Sequence, residues 1–163
     1  MAMAQADIEL APGQTGDLDQ IVDLFARSRA VGLPFLPILH SRDEDRAFLG
    51  QHIVLAQLTA ARFDGRVAAF LVRTPGWIEQ LYVDPDLRGR GIGQRLLDWA
   101  KAGSERLDLW CFADNHAARA FYAAQGFIEI GGTAGDNEAG LPDILFRWHG
   151  QSSLRNPICP SAT

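Results

Sequence analysis

The sequence predicts an α/β (α+β) domain built on a central sheet of about seven strands, and three observations carry the prediction. Segments in which apolar residues alternate with period two are interleaved with segments of helical period along the chain. Asp64-Gly65 sits between two β-rich runs as a hairpin turn. A strand ending near Val83 passes through a turn with glycines at 89, 91 and 93 directly into a helix.

In order, Ile8-Glu9-Leu10 alternates as a short strand. Residues 17–29 place Leu18, Ile21, Val22, Leu24 and Phe25 at helical spacing behind Asp17 as N-cap. Residues 30–40 carry Gly32, Pro34 and Pro37 among apolar side chains, which predicts an irregular connection able to line a pocket. Ser41 and Glu44 have capping-box spacing, so a helix is expected from 43 to about 52. Strands at 54–63 and 66–72 flank the hairpin turn, and Thr74-Pro75-Gly76 turns the chain into a strand at 77–83. Past the glycines, Ile92, Leu96, Trp99 and Gly103, with Leu97 and Ala100 beside them, form the packing face of a helix that closes at Ala102-Gly103. A strand at 107–112, a helix at 115–125 stopped by Gly126 and a strand at 127–131 follow. Residues 131–140 read as a mobile loop and 141–148 as the last strand. The expected organisation is a flexible N-terminus at 1–6, one domain over 7–150, and a Ser- and Pro-rich disordered tail at 151–163.

The chain has 163 residues, 47% of them hydrophobic, enough for one core without metal or disulfide staples. A formal charge of −5 argues against a nucleic-acid surface, which needs a basic stripe, and favours a cationic partner. Cys111 and Cys159 form no disulfide framework, so a reducing cytoplasm is expected. The N-terminal residues lack the basic and apolar regions of a signal peptide, and no stretch predicts a membrane span. His40, His52, His116 and His149 show no ligand spacing, so no metal is expected.

Glycines at 89, 91 and 93 let successive backbone N–H groups point into one concavity, and the helix starting there adds the positive end of its dipole. A phosphate or pyrophosphate is the expected guest. No Gly-Lys-Ser/Thr ending marks a P-loop, and Gly-x-Gly-x-Gly is not the dinucleotide fingerprint. Arg88-Gly89-Arg90-Gly91-Ile92-Gly93, preceded by Leu81-Tyr82-Val83-Asp84-Pro85, resembles the acetyl-CoA signature of the GNAT superfamily of N-acetyltransferases. Asn115-His116-Ala117-Ala118-Arg119-Ala120-Phe121-Tyr122-Ala123-Ala124-Gln125-Gly126-Phe127 is similar to that family's later Asn-x-x-Ala-x-x-Phe-Tyr-x-x-x-Gly-Phe element. The resemblance implies a mixed, mostly antiparallel sheet with helices on both faces.

It further implies acetyl-CoA as donor, with Leu81, Tyr82 and Val83 pairing with the pantetheine arm and Arg88, Gly89, Arg90, Gly91, Ile92 and Gly93 holding the pyrophosphate. On the second helix Phe121 is expected in the core, while Asn115 and Tyr122 face the thioester, with an N-cap as the other reading of Asn115. Tyr122, a phenol with ordinary pKa about 10, suits a general acid for the leaving thiolate. Glu79 is the first candidate base, on a strand where it alternates with Trp77, Leu81 and Val83, and Asp108 is the substitute. Trp110 stands where other members of the family place a glutamate. The implied reaction is acetyl transfer to a primary amine, on a small molecule or a protein, by direct transfer in a ternary complex. A catalytically silent CoA-binding regulatory domain is the competing class, and homodimerisation is left open.

Overall fold

β1 (Ile8–Pro12), β2 (Leu58–Phe63), β3 (Arg66–Thr74) and β4 (Trp77–Val83) form one antiparallel half of a seven-stranded sheet, and β5 (Arg106–Phe112), β6 (Ile128–Thr133) and β7 (Asp143–His149) form the other. The computed structural model describes residues 7–150, so the expected N-terminus at 1–6 and tail at 151–163 lie outside the described residues. The strand order is β1-β2-β3-β4-β5-β7-β6, and β4–β5 is the parallel pair among its neighbours. This is the mixed, mostly antiparallel α/β sheet the sequence predicts.

Alternation along the strands divides the apolar residues between two cores. Ala60, Phe70 and Val72 pack with α1 (Leu18–Gly32) and with Leu49 of α2 (Arg42–Val54). Their neighbours Ala61 and Leu71 pack with α3 (Ile92–Ala102) and α4 (His116–Ala124) on the opposite face. Helices therefore cover both faces, as expected.

Local signals set several elements. Asp64 and Gly65 have φ of 51° and 76°, the left-handed pair that a two-residue hairpin between β2 and β3 requires. Ser41 Oγ accepts from the Glu44 N–H at 3.2 Å and Glu44 Oε2 accepts from the Ser41 N–H at 2.6 Å, closing the capping box.

Other expectations need correction. Asp17 caps no helix with its side chain: its carboxylate accepts from Gln14 N–H within a 3₁₀ turn and is paired with Arg62. α1 runs to Gly32 and α2 to Val54, so the irregular connection is shorter than predicted and β2 starts later, at Leu58. Trp99 is 42% exposed and lies under the Arg73 guanidinium, whose carbon is 5.2 Å from its ring centre. Residues 131–133 continue β6, and the following loop is pinned where Asn137 Nδ2 donates to Leu141 O (2.6 Å) and Asp143 Oδ2 (2.9 Å).

Candidate active site

β4 and β5 meet at one register pair, Trp77 with Asp108, where Asp108 N–H donates to Gly76 O at 2.9 Å. Beyond that point they part. Asp108 is 1% exposed, and both of its oxygens are held, by Arg147 (2.8 and 2.9 Å) and Arg106 (3.3 and 2.7 Å). The Arg147 hydrogen bonds, reinforced by Arg106 against the opposing effect of burial, bring its pKa down to about 2. A carboxylate so held is a poor proton acceptor, which removes Asp108 as substitute base and makes it the rivet at which the strands diverge.

The free edge of β4 follows from its register with β3. Tyr82 lies opposite Phe70 and Val83 opposite Ala69, and the Asp84 N–H donates to Ala68 O at 2.7 Å. In an antiparallel ladder the residues that bond the partner alternate, so Tyr82 aims its N–H and C=O at β3 while Leu81 and Val83 aim theirs toward the opening. The Val83 carbonyl there accepts from Ser28 Oγ at 3.0 Å. Among the described residues, Leu81 N–H, Leu81 C=O and Val83 N–H have no strand opposite them.

Asp84 begins a 3₁₀ turn, Pro85–Leu87, that leads to Arg88. Gly89 and Gly91 have φ of 77° and 78°, and Gly91 is the N-cap of α3 without a side-chain cap, so Ile92 and Gly93 start the helix with unclaimed N–H groups. Gly93 is required by close approach, since a Cβ there would stand 3.3 Å from Phe121 Cζ and 3.4 Å from Val83 Cγ2. Turn, strand edge and α4 thus meet at this glycine. Arg88 and Arg90 have no carboxylate partner among the described residues; Arg90 lies 5.3 Å from the Phe63 ring centre.

Asn115 is the N-cap of α4, its Oδ1 accepting from the Ala118 N–H at 3.2 Å. Tyr122 is more buried than expected, at 8%, with its ring against Phe121, Phe127 and Phe146, while the supposed core residue Phe121 is only partly buried. The helix turns its Ala118, Phe121 and Tyr122 stripe inward, at i, i+3, i+4. Among the described residues no fully buried side-chain polar atom is left unpaired, yet Tyr122 Oη has no hydrogen bond, so it is not sealed off completely. Burial pushes its pKa above the ordinary phenol value, and the Cys111 and Tyr82 groups are near enough to add to the shift. Burial likewise raises Tyr82, whose ring packs edge-on against Phe25 at 5.0 Å, and raises the Cys111 thiol to about 11.

Glu79 is exposed, and its Oε1 accepts from Thr74 Oγ1 at 2.7 Å. The alternation expected around it is broken. Val72 faces Gln80 while Arg73 faces Ile78, so Glu79 is the extra residue of a bulge, and Ile78, Leu81 and Val83 share the α3/α4 core. On the other face, the 33–41 segment reaches the end of β5 through Phe35 against Phe112, 6.1 Å between ring centres. His40 Nε2 lies 2.7 Å from Glu138 Oε1, joining that segment to the β6–β7 loop. Among the described residues no group of three or more His, Cys, Asp or Glu is arranged to hold a metal, and no helix is long and apolar enough to cross a membrane.

Sequence reasoning missed the residues that hold the end of β4, Arg27 and Ser28 of α1 and the buried Asp84. Asp84-Pro85 announces a turn, but its partner lies 57 residues earlier and leaves no local signal.

A mixed sheet opened at its parallel pair, beside an uncapped helix start, is the architecture of N-acetyltransferases of the GNAT superfamily. The chain belongs to that family: the acetyltransferase (GNAT) family profile matches residues 19–127. It is 29% identical over 136 residues to the peptidyl-lysine N-acetyltransferase YiaC of Escherichia coli, covering 83% of this chain and 92% of that one. Its fold matches a GNAT-family acetyltransferase from Bacillus cereus (TM-score 0.72, 18% identity, 88% of this chain and 97% of the other). It also matches the PaiA N-acetyltransferase of Thermoplasma acidophilum solved with coenzyme A (TM-score 0.70, 18% identity, 88% and 99%).

Proposed function

We propose that the protein moves an acetyl group from acetyl-CoA to a primary amine by direct transfer in a ternary complex. The observation that carries this reading is the outward backbone of Leu81 and Val83 in the β4–β5 opening, next to the uncapped start of α3. Pantetheine has two amides and can add to that edge as a short strand. The pyrophosphate suits the N–H groups from Gly89 to Gly93, with Arg88 and Arg90 free to add charge. With Oδ1 engaged as a cap, Asn115 keeps its amide N–H groups to offer the donor.

Tyr122 serves the leaving thiolate. Its pKa lies above about 10 while that of a thiol is about 8.5, so full proton transfer runs uphill by about 2 kcal/mol or more. A hydrogen bond from Oη to the developing sulfur charge is therefore the larger part of its contribution, with the proton balance closed by the amine. Cys111, raised to about 11 and without a histidine partner, is unsuited to carry the acetyl group, which supports direct transfer. The amine arrives protonated, its ordinary pKa being about 10.4, and Glu79 is the base we assign, acting directly or through water.

For the acceptor we favour a lysine side chain of a protein, because the relative aligned over 83% of this chain is a peptidyl-lysine enzyme. A buried free thiol at Cys111 fits the reducing cytoplasm, where we place the reaction. The test is thiol release from acetyl-CoA with lysine peptides, polyamines and small amines offered in parallel. Turnover with lysine peptides is expected; CoA binding without turnover on any amine would leave a silent CoA-binding domain.

A further inference from the structure

Two consecutive residues of α1 grip two consecutive residues at the end of β4. Ser28 Oγ donates to the Val83 carbonyl at 3.0 Å, and Arg27 donates to both Asp84 oxygens, at 2.7 and 3.4 Å. Asp84 is the corner of the chain, since every polar atom it owns is used. Its N–H bonds Ala68 O, its carbonyl accepts from Leu87 N–H at 2.9 Å, and Oδ1 also accepts from the Asp86 N–H at 3.0 Å. Asp84 is 2% exposed, whereas the Arg27 side chain is 49% exposed. Burial opposes ionisation of Asp84, but the Arg27 and Asp86 hydrogen bonds outweigh it and leave its pKa below the ordinary value.

An ion pair with one partner half exposed is weak evidence of a stability role, because solvent screens it; such a pair is better suited to fixing one geometry. The geometry here is that of the donor turn. Residues 88–91 are exposed and include two glycines in the left-handed region, so they carry little stiffness of their own. Their position is set from the two ends, by Ile92 at the start of α3 and by the Asp84–Leu87 corner, where Leu87 is 5% exposed. α1 touches the turn once more, where a Cβ on Gly32 would stand 2.9 Å from Arg88 Nη2.

We propose that Arg27, Ser28 and Asp84 are positioning residues for the donor: the Arg27–Asp84 pair sets the pyrophosphate turn, and Ser28, by occupying the Val83 carbonyl, ends the strand edge on which the donor arm pairs. The proposal rests on the donor reading given above. It separates two effects that a purely structural role would move together, because the pair acts on the pyrophosphate and Ser28 on the arm.

The experiment titrates the full chain with CoA and with pantetheine, which carries the amides of the arm without the pyrophosphate. Wild type is compared with Asp84→Asn, Arg27→Lys and Ser28→Ala, each checked for folding by circular dichroism. Asp84→Asn is expected to weaken CoA about ten- to a hundredfold and pantetheine less than about twofold, so that the ratio of the two affinities collapses. Arg27→Lys, which keeps the charge and loses the two-pronged contact, is expected between wild type and Asp84→Asn. Ser28→Ala is expected to change both ligands by the same factor. A wild-type ratio in folded Asp84→Asn overturns the proposal, and if that variant does not fold, a wild-type ratio in Arg27→Lys overturns it. If wild type binds CoA and the variants bind it equally well, the clamp alone is wrong; if wild type binds no CoA, the donor reading falls and the clamp with it.

Discussion

Tyr122 joins two demands in one side chain, a ring that fills the α4 core and a hydroxyl left without an internal partner. Removing only the hydroxyl separates them. Tyr122→Phe is expected to lower kcat by about ten- to a thousandfold with the CoA affinity little changed. Turnover at the wild-type level, measured per folded molecule, would return the residue to the core alone. Glu79 is the converse case, an exposed carboxylate with a single partner at Thr74. Glu79→Gln is expected to reduce turnover most at low pH and to leave donor affinity alone; superimposable pH–rate profiles would make water the base.

At the scale of elements, the turn and the rivet make separable predictions. Gly91 has φ of 78°, so Gly91→Glu strains the start of α3 by about 1–2 kcal/mol and sets a carboxylate at the proposed pyrophosphate site. Calorimetry is expected to show CoA binding abolished while circular dichroism stays native. Asp108 reaches the start of β4 only through its backbone, while its carboxylate ties β5 to β7 through Arg147, and its pKa of about 2, against an ordinary 3.8, is a folded-state value lowered by its arginines. The stability it supplies is therefore fully present above about pH 4 and is lost as pH falls toward 2, amounting to about 2 kcal/mol. Asp108→Asn is expected to lower Tm at neutral pH by roughly 4–8 °C and to flatten the acid limb of the stability profile, read by thermal melts from pH 2 to 7.

These elements also mark what a sequence can disclose. The Asp64-Gly65 hairpin, the Ser41–Glu44 box and the Gly91 helix start are written within four residues and were legible. The arginines that decide the state of Asp84 and Asp108 include Arg27, 57 residues away, and Arg147, 39 residues away, and although Arg106 stands only two residues from Asp108, nothing local shows that either carboxylate is buried. The strand alternation around Glu79 was misread for a related reason. A bulge moves the side chains on one flank to the other face, and the register shift that creates it depends on β3. Trp99 had the right spacing for the core, yet Arg73 gives it a partner at the surface.

Across the whole molecule, the connection between α1 and α2 is linked to the loop between β6 and β7 through His40 and Glu138, with Glu44 and Asp45 also facing the imidazole. The hydrogen bond to Glu138, helped by the charges of these acids, outweighs the opposing cost of desolvation and raises the His40 pKa above its ordinary 6.5. For a group with a raised folded-state pKa the link is at full strength below about pH 6.5 and is lost as pH rises through the higher folded value. Amide exchange in residues 33–41, corrected for intrinsic rates, is expected to speed up on the alkaline side in wild type, and His40→Gln should remove the pH dependence. Unchanged behaviour in that variant would assign the effect to other groups.

The strand order has a consequence for how the chain comes into being. β1 precedes β2 by two helices, and β2, β3 and β4 are then laid down as successive hairpin neighbours, so each of these strands finds its partner already made. β5 does not: apart from its one bridge to β4, its ladder is supplied by β7, whose first residue is synthesised 31 positions after β5 ends, at Phe112. Until Asp143–His149 leaves the ribosome, β5 and β6 are edges without occupants, and the half of the sheet on which the opening depends cannot close. Among the described strands β7 is the last to be made, and a nascent chain halted before it would hold the turn at residues 88–91 with only one wall of the opening beside it.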